Sequence, residues 1–365
     1  MIWIIVLAAT AATCVFGIVY MIWAIGKFQG IEKISKGNKK IRLTISFGII
    51  AAFFLILCFT MSMVNAVVIF VYAVMFRLLF GLAGICIKRF YKEEFRFYLQ
   101  GWLTVIACLV YFGIGYYLCN NVWITEYNLN TDKDIGELDV MMFADSHLGA
   151  TFDGEGFERI INKMMDESPD IVLLPGDFVD DGTTREDMIK ACEVLGNIET
   201  KYGVWFSYGN HDRGYYGSDY RGFSEQELVD ELEKNHVHIL KDEAELVGDR
   251  FYLIGRDDAY VEGRTEISEL MDETDGKRYT IVLDHQPTDY DNEASAKADL
   301  VLSGHTHGGQ LFPFTYVGEW MGVNDRTYGY ERRDSTDFIV TSGISDWEIK
   351  FKTGTKSECV MIHIR

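Results

Sequence analysis

Apolar residues follow two different patterns along this chain. Before residue 120 they form long runs with few charges, whereas after residue 136 short apolar runs alternate with polar segments. A helix rises about 1.5 Å per residue, so roughly 20 apolar residues cross the hydrocarbon core of a bilayer. The pattern therefore predicts a transmembrane region at 1–119, a linker at 120–136 and a folded domain at 137–365.

The long runs predict four membrane-spanning helices. They cover about residues 2–26, 41–61, 64–87 and 100–119. Arg77 lies inside the third span, where a charged side chain is costly unless it finds a partner. Two interpretations of Arg77 stay open: contact with a lipid phosphate or a partner helix, or a side chain that snorkels or faces a neighbouring carbonyl.

Basic residues in the loops predict the orientation of these helices, because Lys and Arg collect on the cytoplasmic side. The loops after the first and third spans carry Lys27, Lys33, Lys36, Lys39, Lys40 and Arg42, and Lys88, Arg89, Lys92 and Arg96. With both loops in the cytoplasm, four crossings place everything after Cys119 outside. The chain is therefore predicted to be a multi-pass protein of the cell membrane with an extracytoplasmic domain.

The region after residue 136 alternates short strands with amphipathic helices, a pattern typical of an α/β protein. Strands are predicted at 138–144, 171–175, 204–208, 236–240, 250–254, 278–283, 298–303, 338–341 and 359–364, and helices at 156–167, 185–198 and 225–235. Few helices separate the later strands. We therefore predict two facing mixed β-sheets flanked by helices.

Charge and cysteine content narrow the functional classes. The chain has 34 basic and 54 acidic residues, of which 23 basic and 51 acidic residues follow position 119. Such an acidic domain repels nucleic acid, so no nucleic-acid partner is expected. Only Cys192 and Cys359 lie beyond Cys119, which excludes a disulfide framework and leaves a single bridge between them open.

Five predicted strands end in polar residues that are suited to metal binding. These ends carry Asp145 and His147, then Asp177 and Asp180, then Asn210, His211 and Asp212, then Asp284 and His285, and finally His305 and His307. Loops that leave the same edge of a sheet lie close together, so we expect these side chains to converge. Each loop alone has an ordinary interpretation as a cap, a turn or a polar surface loop. Together they predict a metal centre.

The donor types indicate which metals are expected and how many. Asp, Asn and His supply oxygen and nitrogen ligands, which suit Mn, Fe or Zn better than metals that prefer thiolates. The strand ends supply at least seven such donors. This set is larger than one ion usually binds, so two divalent ions are expected. Two ions about 3.5–4 Å apart can activate a shared water and hold both oxygens of an in-line phosphoryl displacement.

The motifs together resemble those of the calcineurin-like metallophosphoesterases. The resemblance rests on Asp145-x-His147, Gly176-Asp177-x-x-Asp180, Gly209-Asn210-His211-Asp212, His285 and Gly304-His305-x-His307. Further segments, Gly255-Arg256-Asp257-Asp258, Asp284-His285-Gln286-Pro287 and Gly308-Gly309-Gln310, resemble the bacterial membrane-associated branch. That branch is similar to transmembrane metallophosphoesterases and UDP-2,3-diacylglucosamine pyrophosphatase-like enzymes. Family members often have prolines after the position of Gly343, whereas residues 347–359 contain none here.

The resemblance implies a role for each motif residue. Asp145, His147 and His307 would bind one ion, Asn210, His285 and His305 the other, and Asp177 would bridge them. His211 would be catalytic, by protonating the leaving oxygen or stabilising charge on the phosphoryl group, with Asp180 orienting it. Weaker candidates for contact with the substrate are Arg213, Arg256 and Gln310, for which a surface or salt-bridge role is an equal alternative.

We therefore predict a membrane-anchored, binuclear phosphoesterase. It would hydrolyse a phosphodiester or pyrophosphate bond of a lipid-linked substrate by attack of a metal-bridging hydroxide, with membrane lipids as partners. The alternatives are a phosphomonoesterase or nucleotide phosphodiesterase acting on a soluble substrate, and a non-catalytic membrane sensor or scaffold. A transport role is disfavoured because Arg77 is the one central charge in the predicted spans.

Overall fold

The computed structural model describes residues 2–91 and 98–365. The chain divides into two compact units, Met1–Gly115 and Tyr116–Arg365. We refer to them as the helical unit and the sheet unit. Each is described by itself.

The helical unit is built mainly from apolar helices. They are α1 (Ile2–Ile25), α2 (Gln29–Ser35), α3 (Lys39–Thr60), α4 (Met63–Tyr91) and α5 (Leu99–Asn120), whose last residues belong to the sheet unit. Among the described residues, α3, α4 and α5 are long and apolar enough to cross a membrane. A fourth span results if residues 14–25 of α1 and the helix α2, bent by 79°, count as one.

Each predicted span thus coincides with a helix, while the number of crossings stays a prediction. The loop after the third span was part of the orientation argument. Its residues Lys92 and Arg96 lie outside the described residues.

Arg77 of α4 is buried among aromatic side chains of the helical unit. Its Nε donates a hydrogen bond of 2.7 Å to the hydroxyl of Tyr98. The guanidinium carbon lies 5.7 Å from the ring centre of Tyr20 and 6.0 Å from that of Trp23. The contacts with Tyr20 and Trp23 of α1 agree with the partner-helix interpretation, and the negative faces of these rings stabilise the cation.

The sheet unit contains two six-stranded sheets. In chain order the strands are β1 (Val122–Leu129), β2 (Leu138–Met142), β3 (Ile171–Pro175), β4 (Val204–Ser207), β5 (Val237–Leu240), β6 (Glu243–Val247), β7 (Phe251–Gly255), β8 (Tyr279–Leu283), β9 (Leu300–Ser303), β10 (Gly329–Arg333), β11 (Thr336–Val340) and β12 (Ser357–Ile364). The first sheet has the order β1-β12-β2-β3-β4-β5 and the second β10-β11-β9-β8-β7-β6. Both sheets mix parallel and antiparallel pairs, as predicted.

Helices flank these sheets, which confirms the predicted fold class. They are α6 (Gly154–Met165), α7 (Arg185–Gly196), α8 (Ser218–Arg221), α9 (Glu225–Lys234), α10 (Ile267–Asp272), α11 (Tyr290–Ser295) and α12 (Val317–Trp320), with one 3₁₀ turn at His307–Gly309. The N-terminus of α9 is fixed by a capping box between Ser224 and Glu227. Such a cap contributes about 1 kcal/mol to helix stability.

Alternating side chains along the central strands separate three apolar cores. Val140 of β2 and Ile281 of β8 belong to one core that contains residues of both sheets. Met141, the neighbour of Val140, packs in a second core that includes α6 and α7. Val282 of β8 packs in a third core with α10 and α11. Strands buried on both faces read as continuous apolar runs, which is why the sequence predicted them well.

The segment 120–136, predicted as a linker, is instead part of the fold through β1. This strand pairs in parallel with β12, with Thr125 opposite Val360. The prediction failed because the pairing partner lies more than 200 residues away, at the other end of the sheet unit. Strands β6 and β10 were also missed. Both are edge strands that contain charged residues, at alternating positions in β6 and at three successive positions in β10, so they lack an apolar run.

Cys192 and Cys359 are both buried free thiols, so the bridge left open between them is not formed.

Replacing Leu129, the buried last residue of β1, tests whether β1 belongs to the core. Leu129→Ala should lower the free energy of unfolding by about 2–4 kcal/mol, because it leaves a cavity between the sheets. For a unit of this size that corresponds to a drop in melting temperature of roughly 5–10 °C. Glu126→Ala, at an exposed position of the same strand, is the matched control. Equal melting temperatures for both variants would show that residues 120–136 are a linker after all.

Candidate metal centre

Five polar loops meet where the parallel strands of the two sheets end. In the first sheet β2, β3 and β4 are parallel neighbours, and in the second β8 and β9 are. Parallel neighbours release their loops at the same edge, so the predicted convergence is confirmed. The two sheets also meet here directly, since Nδ1 of His285 lies 2.8 Å from the carbonyl oxygen of Pro175 in β3.

The loops bring together three groups of side chains that are able to hold a cation. In each group the ligand atoms lie within 4.8 Å of one another: Asp145, His147 and His307; Asp177, His285 and His305; and His147, Asp177 and His211. The first group contains the three residues expected to bind one ion. The second group contains His285 and His305, expected to bind the other ion, together with Asp177, the expected bridging residue. The amide nitrogen of Asn210 donates to the hydroxyl of Tyr215 at 2.7 Å, and its oxygen is buried without a hydrogen-bond partner.

Asp177 is the carboxylate that these groups share. One of its oxygens, Oδ2, lies 3.0 Å from Nε2 of His285 and 3.5 Å from Nε2 of His147. The other, Oδ1, accepts a 2.8 Å hydrogen bond from the backbone N–H of His211. Burial opposes ionisation, but the charge of His285 and its hydrogen bond hold the pKa of Asp177 well below its usual range. An ionised, buried carboxylate therefore lies among imidazoles.

The imidazole of His285 is oriented by the protein itself. Since Nδ1 donates to the carbonyl of Pro175, Nε2 is the nitrogen that faces Asp177. Burial alone would lower the pKa of His285, but the charge of Asp177 raises it to about 10. In contrast, burial and the neighbouring His285 lower the pKa of His305 to about 4. His305 thus offers a neutral nitrogen, the form that binds metals.

Two glycines allow the loops to approach this closely. A Cβ on Gly209 would collide with Oδ1 of Asp177, and a Cβ on Gly304 would collide with Oδ2 of Asp145. Asp145, Asp177 and His305 adopt left-handed backbone angles, with φ of 54°, 53° and 69°. Such angles in non-glycine residues cost about 1–3 kcal/mol each and cluster at functional sites.

Asp212 holds two of the loops together. Its carboxylate accepts hydrogen bonds of 2.7–3.1 Å from the backbone N–H groups of Gly209, Asp177, Phe178 and Val179. Burial is the main cause that raises the pKa of Asp212 to about 7, and the charge of Asp177 adds to this rise. The hydrogen bonds from the backbone N–H groups act in the opposite direction. Asp212 is thus a structural residue.

Several buried polar atoms fit the requirement for bound cations. Oδ1 of Asn210 and Nε2 of His147 are buried and have no hydrogen-bond partner. A buried polar atom without a partner costs free energy, unless something else satisfies it. The donor set of carboxylate, amide oxygen and imidazole suits divalent cations such as Mn, Fe or Zn. The residues therefore fit a metal centre.

The structure corrects the role expected for Asp180. Its carboxylate lies 3.4 Å from Nδ1 of His147, and not against His211. The backbone N–H of Gly182 and the hydroxyl of Thr183 fix the loop that carries it. Asp180 thus orients His147. The error arose because spacing along the chain does not show which of two adjacent imidazoles a carboxylate reaches.

His211 lies at the edge of the centre, surrounded by aromatic rings. Its ring centre is 4.8 Å from that of His147, 5.0 Å from that of Tyr215 and 5.4 Å from that of Trp347. Burial lowers the pKa of His211 below its usual value, despite the nearby charge of Asp177. Its imidazole is therefore neutral near pH 7 before any substrate binds.

The three weaker candidates for substrate contact have other partners. Arg213 lies 2.7 Å from Asp257, and the buried Arg256 lies 2.8 Å from Asp284 and 2.7 Å from Asp289. Gln310 donates to the carbonyl oxygen of Ile349 at 3.1 Å. All three stabilise loops. Their ordinary salt-bridge and surface interpretations therefore describe them better than contact with a substrate.

Sequence reasoning missed two residues of the rim, Tyr215 and Trp347. Tyr215 lies five positions after Asn210, and its hydroxyl fixes the amide of Asn210. A separation of five residues in a loop does not indicate such a contact. Trp347 is 50% exposed and lies in the proline-free segment that departs from the family pattern. The lack of prolines in this segment is the sequence feature that could have indicated Trp347 as a residue of the rim.

Comparisons with known proteins agree with this geometry. The family model described as calcineurin-like phosphoesterase matches residues 138–309. An uncharacterized metallophosphoesterase of Aquifex aeolicus is 30% identical over 203 residues, which are 53% of this chain and 73% of that protein. This chain belongs to the calcineurin-like phosphoesterase family. The family predicted from the motifs is therefore confirmed, and with it the expectation of a metal-dependent phosphoesterase.

Other members of this family are membrane proteins by name. A transmembrane protein with metallophosphoesterase domain from Danio rerio is 29% identical over 245 residues, 64% of this chain. The chain spans 54% of the length of that relative. An uncharacterized metallophosphoesterase of Campylobacter jejuni is 28% identical over 277 residues, 72% of this chain and 69% of that protein. The transmembrane relative agrees with the membrane-associated branch of this phosphoesterase family.

Asp177→Asn tests whether this carboxylate is shared by two ions. The amide lacks the charge and one of the two acceptor oxygens, so the content of bound metal should fall from two ions towards one or none. The measurement is metal analysis of the full chain after dialysis against Mn²⁺. Asp230→Asn, the same change at an exposed position of α9, is the control. Unchanged metal content in Asp177→Asn would remove the bridging role.

Proposed function

We propose that the sheet unit hydrolyses a phosphoric ester with two divalent cations. One would be held by Asp145, His147 and His307, the other by Asn210, His285 and His305, with Asp177 between them. The observation that carries this proposal is the position of Asp177. Its Oδ2 lies 3.0 Å and 3.5 Å from imidazole nitrogens that belong to the two ligand sets.

The charges around the centre support a role for cations in binding phosphate. The two arginines that had been candidates, Arg213 and Arg256, are both neutralised by carboxylates. Positive charge for a phosphoryl group must therefore come from the bound ions. When bound, two such ions neutralise the phosphoryl oxygens and lower the pKa of a water molecule between them.

His211 is the group of this chain best placed to act on the substrate. Its neutral imidazole donates an N–H to a phosphoryl oxygen, which stabilises charge as the bond breaks. Transfer of a proton to the leaving oxygen becomes possible once a bound phosphate raises the pKa of His211. Asp180 contributes indirectly, since it positions His147.

Exposed apolar side chains beside the centre support an amphiphilic substrate. The segment that follows the 3₁₀ turn at His307–Gly309 exposes Phe312 by 62%, Trp320 by 75% and Met321 by 73%. Exposed apolar side chains that form a contiguous patch mark sites that bind ligands or membranes. We therefore favour a lipid-linked phosphodiester or pyrophosphate over a soluble phosphate ester. The apolar helices of residues 1–119 would anchor the enzyme next to such a substrate.

Hydrolysis of two model compounds by the full chain in detergent tests the proposal. With Mn²⁺ added, bis-p-nitrophenyl phosphate should be hydrolysed faster than p-nitrophenyl phosphate. His211→Ala should lower kcat by about 100-fold or more, because it removes the donor to the phosphoryl group. His238→Ala, which removes a histidine stacked on Trp205 in the first sheet, should leave kcat unchanged. Two bound metals without hydrolysis of any phosphodiester, lipid-linked ones included, would favour a non-catalytic sensor.

We also propose that the sheet unit lies outside the cytoplasm. The basic loops after the first and third predicted spans support this orientation. A cysteine introduced at the exposed Asp219 should react with a membrane-impermeant maleimide in intact spheroplasts. Lys36→Cys, in the first basic loop, should react only after lysis, and the wild-type chain gives the background. Reaction of Asp219→Cys only after lysis would reverse the orientation.

A further inference from the structure

A buried carboxylate and a buried ammonium group lie next to one ring nitrogen of His307. Asp346 is 1% exposed and Lys352 is fully buried. Nδ1 of His307 lies 3.4 Å from Oδ1 of Asp346 and equally 3.4 Å from the carbonyl oxygen of Ser345, the residue before Asp346, whereas Nε2 lies 3.9 Å from Oδ1 of Asp145. The ring thus presents one nitrogen to Asp346 and the other to the candidate metal centre.

Lys352 fixes the loop that carries Asp346. Its Nζ lies 3.3 Å from Oδ1 of Asp346 and donates to the carbonyl oxygens of Ser342 at 2.6 Å and Ser345 at 3.2 Å. A buried ion pair contributes little net stability, because both charges lose their hydration. A gain in stability therefore does not explain the pair, and its position beside His307 offers a functional reason.

The carboxylate of Asp346 is able to accept a hydrogen bond from His307. Both of its oxygens are buried. Oδ1 lies 3.3 Å from Nζ of Lys352 and 3.4 Å from Nδ1 of His307, and the thiol of Cys119 also interacts with the carboxylate. The backbone N–H of Asp346 lies 3.4 Å from the hydroxyl of Thr151, which fixes the loop from the other side.

We propose that Asp346, held by Lys352, is a positioning residue that fixes the ring and the tautomer of His307. With a cation at Nε2, the proton of the imidazole would reside on Nδ1. Asp346 would then accept a hydrogen bond from this N–H. Such a contact makes the ligand nitrogen more basic and removes the entropy of ring rotation. Loss of a partner of this kind costs about 10–100-fold in metal affinity. This inference rests on the proposed function, because it treats His307 as a metal ligand.

The test is a titration of the full chain with Mn²⁺, in which free Mn²⁺ is counted by electron paramagnetic resonance. In Asp346→Asn, the ion held with His307 should bind about 10–100-fold more weakly, while the ion held with His285 should bind as in the wild type. Glu358→Gln is the matched control. Glu358 is also a buried carboxylate, but it contacts the hydroxyls of Tyr328 and Thr125 and none of the seven proposed ligands.

A double variant separates positioning from stability. Asp346→Asn alone leaves Lys352 buried without its counter-charge, which destabilises the loop. Asp346→Asn combined with Lys352→Met removes both charges, so the melting temperature should recover towards that of the wild type. In this double variant the ion held with His307 should still bind more weakly than in the wild type. A folded double variant that binds both ions as tightly as the wild type would overturn the inference.

The remaining outcomes separate this inference from the function on which it rests. Wild-type protein that binds fewer than two ions would contradict the proposed function, and the inference would fall with it. Two tight ions in the wild type and equally tight ions in Asp346→Asn would overturn the inference alone. Equal weakening of both ions in Asp346→Asn would also overturn it, because that result indicates general damage to the fold.

Discussion

The structure depends on keeping one ionised carboxylate, that of Asp177, buried among imidazoles. Burying a charge is costly, and here the opposing charges come from histidines of both sheets. The neighbouring loop geometry serves this arrangement. Gly209 leaves room for the carboxylate, and Asp212 ties the backbone of the Asp177 loop to that of the Gly209 loop. Because each of these groups is satisfied only when the others are in place, the loops form one cooperative unit.

The two-sheet architecture explains why the centre lies where it does. Three of the five loops leave the first sheet and two leave the second, all at the carboxyl ends of parallel strands. The contact between His285 and Pro175 links the sheets at the point where the loops meet. Strands with both faces buried hold the loop ends, so the fold itself brings the ligand atoms together. A centre organised in advance loses little free energy to rearrangement when it binds.

The sequence predicted the residues that carry a strong local signal and failed where the signal is long-range. The motif ligands were visible because a polar residue directly after an apolar run is conspicuous. The partner of Asp180 was assigned wrongly, since His147 and His211 lie close in space and far apart in sequence. Asp346 passed unnoticed because it lies 39 residues after His307 in a segment without a motif. Strand β1 was missed for the same physical reason, since its pairing partner is the C-terminal strand.

The central claim is that two cations share Asp177. Diffraction data collected from crystals grown with Mn²⁺ or Zn²⁺, at the absorption edge of the metal, measure this directly. The account predicts two anomalous peaks about 3.5–4 Å apart. One should contact His147 and His307, the other His285 and His305, with Asp177 between them. A single peak, or two peaks that do not both contact Asp177, would contradict it.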